Sequence, residues 1–181
     1  MKFLEAATRK MRSWKGLLFT TLFYLFFTLL GEGDDTFKQQ WLMALIFLPG
    51  ILFPLLTCDY RKLAPAGSRI TMLIIHITLS IAIYLFGAGI WSLGVEWRWA
   101  GVVAGVWGSF AYRVLTHYLL EMELSMVQML IAGLLSGLSF APPGIFTERG
   151  WAVGYAVTLW TLVNGGMMLY NGRERQEQLA Q

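Results

Sequence analysis

The chain has 181 residues, of which 56% are hydrophobic, 15% aromatic and only 14% charged, and its mean hydropathy is +0.56. A soluble domain carries about 25% charged residues, so this composition predicts a single membrane domain and argues against a soluble one. The net charge is +3, and the sequence has no basic patch interleaved with aromatic residues. We therefore expect no nucleic-acid partner. The single cysteine, Cys58, excludes an intramolecular disulfide and a cysteine-based metal site.

The first fifteen residues have an amphipathic pattern. Leu4, Ala7, Met11 and Trp14 recur at steps of three and four, and the basic residues lie largely elsewhere on the helical wheel. This pattern predicts a short helix lying on the inner leaflet before the first span. A disordered basic anchor is the alternative.

Six segments have the length and polarity of membrane-spanning helices, which need roughly 20 residues each. The loops between them are short, so consecutive helices must be antiparallel neighbours. The sequence therefore predicts an all-α integral membrane protein, residues 1–181 forming one six-transmembrane-helix bundle with short loops. The predicted spans are about 15–31, 41–58, 70–94, 99–120, 125–143 and 150–170.

The distribution of lysine and arginine predicts the orientation of this bundle. Ten of these residues fall on the side shared by the two termini, and three fall on the other side. Because cytoplasmic loops carry the excess of positive charge, we expect both termini in the cytoplasm. The size and the charge asymmetry favour a bacterial-type inner membrane, and the endoplasmic reticulum membrane is the alternative. The ten are Lys2, Arg9, Lys10, Arg12, Lys15, Arg61, Lys62, Arg69, Arg173 and Arg175, and the three are Lys38, Arg98 and Arg149.

Small residues recur at four-residue spacing in the last three spans. This spacing lets helix backbones approach closely, and it predicts tight packing of spans four, five and six. A homo-oligomer formed through one of these faces is the alternative. The pairs are Gly101 and Gly105, Gly133 and Gly137, and Gly150 and Gly154.

Polar side chains on different spans share one depth. From the helical rise, Arg113, His76 and Asn164 each lie roughly 9–10 Å from the predicted cytoplasmic end of their spans, with His117 and Gln128 nearer the interface. A guanidinium at membrane depth costs at least a few kcal/mol, so it normally has a partner or a use. These five residues predict a polar ligand pocket that opens toward the cytoplasm. The alternatives are that Arg113 extends to the inner headgroups or belongs to a buried structural network.

Three kinds of function are compatible with this pattern. The first is a non-enzymatic membrane module that binds a partner membrane protein or lipid, because no complete catalytic set is present. The second is a small-molecule or ion binding or transport protein that uses the pocket around Arg113. The third is an intramembrane enzyme, or a haem protein that uses His76 and His117. No metal-ligand motif is present, and we expect no cofactor.

The size, the six short-looped spans and the orientation are similar to those of the substrate-binding S-components of energy-coupling factor transporters. Those proteins carry an alanine-rich motif of small residues on their first span. The first span here reads GLLFTTLFYLFFTLL and lacks it. The resemblance is one of layout, implies substrate binding in general, and assigns no residue.

Overall fold

The computed structural model describes residues 2–31, 34–58, 67–92, 99–120, 125–141 and 152–178. These ranges contain α-helices and a short 3-10 turn, Leu138–Phe140, but no strand, so the all-α prediction is confirmed for the part of the chain described. The helices are α1 (Lys2–Leu30), α2 (Asp35–Thr57), α3 (Arg69–Ser92), α4 (Ala100–Leu120), α5 (Met126–Gly137) and α6 (Ala152–Gln178).

The helix ends differ from the predicted spans where local hydrogen bonds extend or interrupt a helix. α2 begins six residues before the predicted span, because the Asp34 carboxylate accepts hydrogen bonds from the backbone N–H groups of Thr36 and Phe37 at 2.8 and 3.1 Å. The predicted amphipathic segment is not separate from the first span, since α1 is continuous from Lys2 to Leu30. The side chains of residues 2–13 lie outside the described part of the chain.

α2 is bent, and proline explains the bend. The halves Asp35–Leu45 and Phe47–Leu55 meet at 52°. Pro49 has no N–H to donate to the carbonyl of Leu45, and its ring crowds that carbonyl, which kinks a helix at this position. The bend places Phe53 among buried residues of the core.

The six helices form a ring in chain order. Each helix packs against the next one in sequence, α6 closes the ring against α1, and α2 also contacts α6. We call the end where α2 and α4 finish and α3 begins the basal end, and the opposite end the apical end. α4 and α6 contact each other through side chains, by hydrogen bonds from Arg113 to Asn164 and from Trp160 to the carbonyl of Gly105.

Glycine residues allow the closest helix contacts, and one of the predicted pairs places such a contact between α4 and α5. A Cβ atom at Gly137 would clash with Val106 and would lie 2.9 Å from the carbonyl oxygen of Val102, so α5 packs directly on the α4 backbone. Gly154 differs from the expectation, because its close neighbour is Thr28 of α1 and not a residue of span four or five. Gly150 lies outside the described residues.

Length and hydropathy identify few membrane-capable helices. Among the described helices, α3 alone is long and apolar enough to cross a membrane, and α2 is a second one if its two halves count together. Shorter apolar stretches cover Trp14–Leu30, Met126–Phe140 and Val153–Leu169. The helical count is thus established for the described ranges, whereas six membrane spans stay a prediction.

Candidate functional site

Arg113 points into the helix ring. Its side chain is fully buried, with 0% of its surface exposed. The Nη2 atom donates hydrogen bonds to Asn164, at 2.9 Å to the side-chain Oδ1 and 3.2 Å to the backbone carbonyl. Two members of the predicted polar layer, on α4 and α6, therefore meet directly.

Most of the hydrogen-bonding capacity of this guanidinium is unused. A guanidinium carries five N–H donors, one on Nε and two on each Nη. The Nε and Nη1 atoms of Arg113 are buried and have no hydrogen-bond partner among the described residues, and the same holds for the Nδ2 atom of Asn164. Within the described residues the only acceptors for Arg113 are those of an uncharged amide residue, so its positive charge is not neutralised by a carboxylate.

His76 lies in a second, adjacent network. Its ring is fully buried and stacks on Tyr112, with ring centroids 5.2 Å apart and planes 15° apart. The Thr116 hydroxyl donates to the Tyr112 carbonyl at 2.8 Å, so the proton of the 3.2 Å contact between Thr116 Oγ1 and His76 Nε2 must come from the imidazole. His76, on α3, is therefore held against α4 by Thr116 and Tyr112, next to the turn that carries Arg113.

The structure places His117 and Gln128 differently from the other three predicted residues. His117 is half-buried, and its ring lies edge-on to Tyr118 at 5.1 Å. Gln128 is exposed at the start of α5, where it completes a capping box with Ser125 at 3.1 and 3.3 Å. A ligand role for these two residues stays a prediction.

Four further buried polar groups extend the Arg113–Asn164 pair: one lies about a helical turn from it on each of α4 and α6, and two lie on α3, where Tyr84 is an electrostatic neighbour of Arg113. They have no hydrogen-bond partner in the described part of the chain, whereas native proteins leave only a few such groups per 100 residues. Ser136 on α5 is another such group and is not counted in this set of three helices. We call this set the polar band, and its members are Ser80 and Tyr84 on α3, Ser109 and Arg113 on α4, and Thr161 and Asn164 on α6.

Sequence reasoning found only part of this band. Arg113 and Asn164 were conspicuous because charged and amide groups are rare in apolar helices. Tyr84 and Thr161 were not singled out, since a lone tyrosine or threonine in a span is ordinary. The four-residue spacing from Ser109 to Arg113 is visible in the sequence, and the same spacing from Ser80 to Tyr84 is a signal that could have linked the α3 pair to the band.

A cavity of about 390 Å³ lies apical to the polar band. It is lined almost wholly by apolar groups from five parts of the ring. The lining residues include Pro49 on α2, Tyr84 and Ala88 on α3, Gly108 on α4, and Val157 and Trp160 on α6. The cavity and the predicted basal pocket are therefore on opposite sides of the Arg113–Asn164 pair.

The described residues form no cluster of three or more His, Cys, Asp or Glu side chains that would hold a metal ion. His76 is already engaged by Thr116 and Tyr112. Haem ligation by His76 and His117 thus remains a sequence prediction without a supporting contact.

No protein-family model matches the chain, and neither curated proteins nor solved structures give a significant match. The site is therefore interpreted from its own geometry.

Proposed function

We propose that the chain is a polytopic membrane protein whose six helices all contact the bilayer. The support is the apolar exterior of the ring, which encloses buried polar groups. The ring interior holds buried Arg, His, Asn, Ser and Thr side chains, whereas large apolar residues such as Phe19, Ile70 and Val127 are 64–74% exposed. Only 17% of the most apolar window of α3 is buried, although the core helix of a soluble protein would be mostly buried. A hydrocarbon environment would cover this surface.

Within this proposal the basal end faces the cytoplasm of a bacterial-type inner membrane. Lysine and arginine are concentrated at the termini and in the segment before α3, which is the arrangement that the positive-inside rule associates with the cytoplasm. The polar band then lies within the membrane, and the cavity lies in its outer half.

We further propose that the protein binds an anionic small molecule at Arg113 and Asn164. The observation that carries this proposal is the fully buried guanidinium with unpartnered N–H groups on Nε and Nη1. The neighbouring amide Nδ2 and the hydroxyls of Ser109 and Thr161 are also unpartnered, and all of them can donate. A donor-rich set around a buried positive charge is complementary to an oxyanion, and charge-assisted hydrogen bonds of this kind are the strong ones.

A module that binds a lipid or a partner membrane protein is the second candidate. α5 favours it, because this short helix turns a continuous apolar face outward. The exposed residues of that face are Met126, Val127, Leu130, Ile131, Leu134, Leu135 and Leu138. Under this alternative the Arg113–Asn164 pair is structural.

Native mass spectrometry of protein purified from its own membrane tests the proposal. We expect the wild type to retain an anionic small molecule, and Arg113→Gln to lose it, because the substitution removes the charge and most of the donors. Arg69→Gln is the matched control, since it makes the same change at the start of α3, outside the polar band. Equal retention by both variants, or an associated protein subunit in place of a small anion, would contradict the proposal.

A further inference from the structure

The apical cavity and the polar band meet at two aromatic side chains. Tyr84 and Trp160 both line the cavity and contact each other edge to face, with ring centroids 5.4 Å apart. The indole Nε1 of Trp160 donates to the carbonyl of Gly105 at 3.2 Å, so this ring is held in one orientation. The two rings form the floor of the cavity.

Tyr84 belongs to the cavity and to the polar band at the same time. Its ring lines the cavity, and it is an electrostatic neighbour of Arg113. Its hydroxyl is buried without a hydrogen-bond partner in the part of the chain that the structure describes. On α6, Asn164 follows Trp160 by one helical turn, about 6 Å along the axis. Tyr84 thus joins the apolar cavity to the polar band.

At Gly108, the α4 backbone passes close to the two rings that form the floor of the cavity. The nearest atoms to a Cβ at this position would be those of Trp160 and Tyr84, at 3.7 and 3.8 Å. Arg113 lies five residues further along α4, about 7.5 Å by helical rise. The compact anionic group of a ligand bound at Arg113 can therefore belong to the same molecule as an apolar group in the cavity, on the other side of Tyr84 and Trp160.

We infer that the ligand is a single-chain amphiphile, with a compact anionic head at Arg113 and Asn164 and its hydrocarbon chain in the apical cavity. This inference rests on the proposed anion binding and adds the tail. The volume of about 390 Å³ is near the low end of small-ligand sites, roughly 300–1,000 Å³, which favours one chain over two. A carboxylate and a phosphate monoester share the required head chemistry, since both are small oxyanions that accept from a guanidinium.

Binding of matched amphiphiles to the purified full-length protein tests the inference. The probes are oleate, oleyl phosphate and oleyl alcohol, which share one chain, and acetate and inorganic phosphate, which lack it. We expect at least one of the two anionic amphiphiles to bind at least about tenfold more tightly than the alcohol, and the chainless anions to bind much more weakly still. Preference for oleate or for oleyl phosphate identifies the head.

Variants locate the chain in the cavity. Ala88→Phe fills cavity space, and Val157→Phe does so from α6 if the first variant unfolds. Gly89→Phe is the control, because this neighbouring position is exposed and a Cβ there meets nothing within 4 Å. We expect the cavity variants to weaken amphiphile binding about tenfold or more and the control to leave it unchanged.

The outcomes separate this inference from the proposed function. If acetate or phosphate binds in an Arg113-dependent manner and Ala88→Phe has no effect on oleate or oleyl phosphate binding, the anion site stands and the tail assignment is overturned. If the alcohol binds as tightly as the anionic amphiphiles and Arg113→Gln changes nothing, the anion site itself fails. If neither anionic amphiphile binds, the inference is wrong.

Discussion

At the scale of single residues, Arg113 is held by an amide and not by a carboxylate. The Asn164 side chain accepts from Nη2 at 2.9 Å, and the positive charge keeps further unpartnered donors on Nε and Nη1. A buried charge without a counter-ion is costly to the fold, and such a cost is usually found where a protein has a use for the group. The residue is therefore more informative than its sequence position alone suggested.

Asn164→Asp would supply the missing counter-ion from within the protein. Because the new carboxylate would lie at hydrogen-bond distance from Nη2, we expect the free energy of unfolding to rise by about 1–3 kcal/mol. The bound anion should be lost at the same time, since the charge would be neutralised. Thermal unfolding followed by tryptophan fluorescence and native mass spectrometry measure the two effects. A stabilised variant that still binds the anion would place the ligand elsewhere.

At the scale of elements, close contact between α4 and α5 depends on Gly137. The α5 backbone lies against Val102 and Val106 at this position, and the contact leaves no room for a side chain. Gly133, one turn earlier on the same helix, has its nearest neighbours at 3.5 Å, which is ordinary van der Waals distance. The two glycines look alike in the sequence, but their surroundings differ.

Gly137→Ala and Gly133→Ala form a matched pair of variants. We expect the first to destabilise the protein by about 1–3 kcal/mol, because an added methyl group overpacks a tight interface. The second should be neutral or stabilising by up to about 1 kcal/mol, since alanine favours a helix over glycine. Melting temperatures in detergent measure both effects. Equal changes in melting temperature for the two variants would show that the closer packing at Gly137 does not affect stability.

At the scale of the whole molecule, the helix ring has an apolar exterior and an interior that combines an aromatic core with buried polar groups. Ser80, Ser109 and Thr116 are completely buried, and so are core residues such as Tyr24 and Phe53. Leucine, isoleucine and phenylalanine cover the outside, whereas the exposed helix faces of a soluble bundle carry polar and charged residues. The arrangement supports the proposed membrane location and makes the orientation of the ring a testable property.

Accessibility of introduced cysteines tests this orientation. In a Cys58→Ala background, Thr36→Cys lies at the apical end and Gly67→Cys at the basal end, and both positions are exposed. With both termini in the cytoplasm, a membrane-impermeant maleimide should label Thr36→Cys on intact cells and Gly67→Cys only after permeabilisation. The opposite pattern would invert the orientation, and immediate labelling of both would contradict a membrane-spanning ring.

The helices of the described ranges, and Arg113 and Asn164 as members of one polar layer, could be predicted from the sequence alone, because hydropathy and the helical rise are local properties. The sequence could not predict that Arg113 points into the ring and donates to Asn164. It also could not predict that Tyr84 and Thr161 belong to the polar band, or that a cavity lies at the apical end. Those features depend on how each helix is rotated and which helix it faces. That arrangement is decided by contacts between residues far apart in the chain, such as Gly154 on Thr28 and Trp160 on Gly105. Periodicity shows which side chains share a face of one helix, and only the packed ring determines what covers that face.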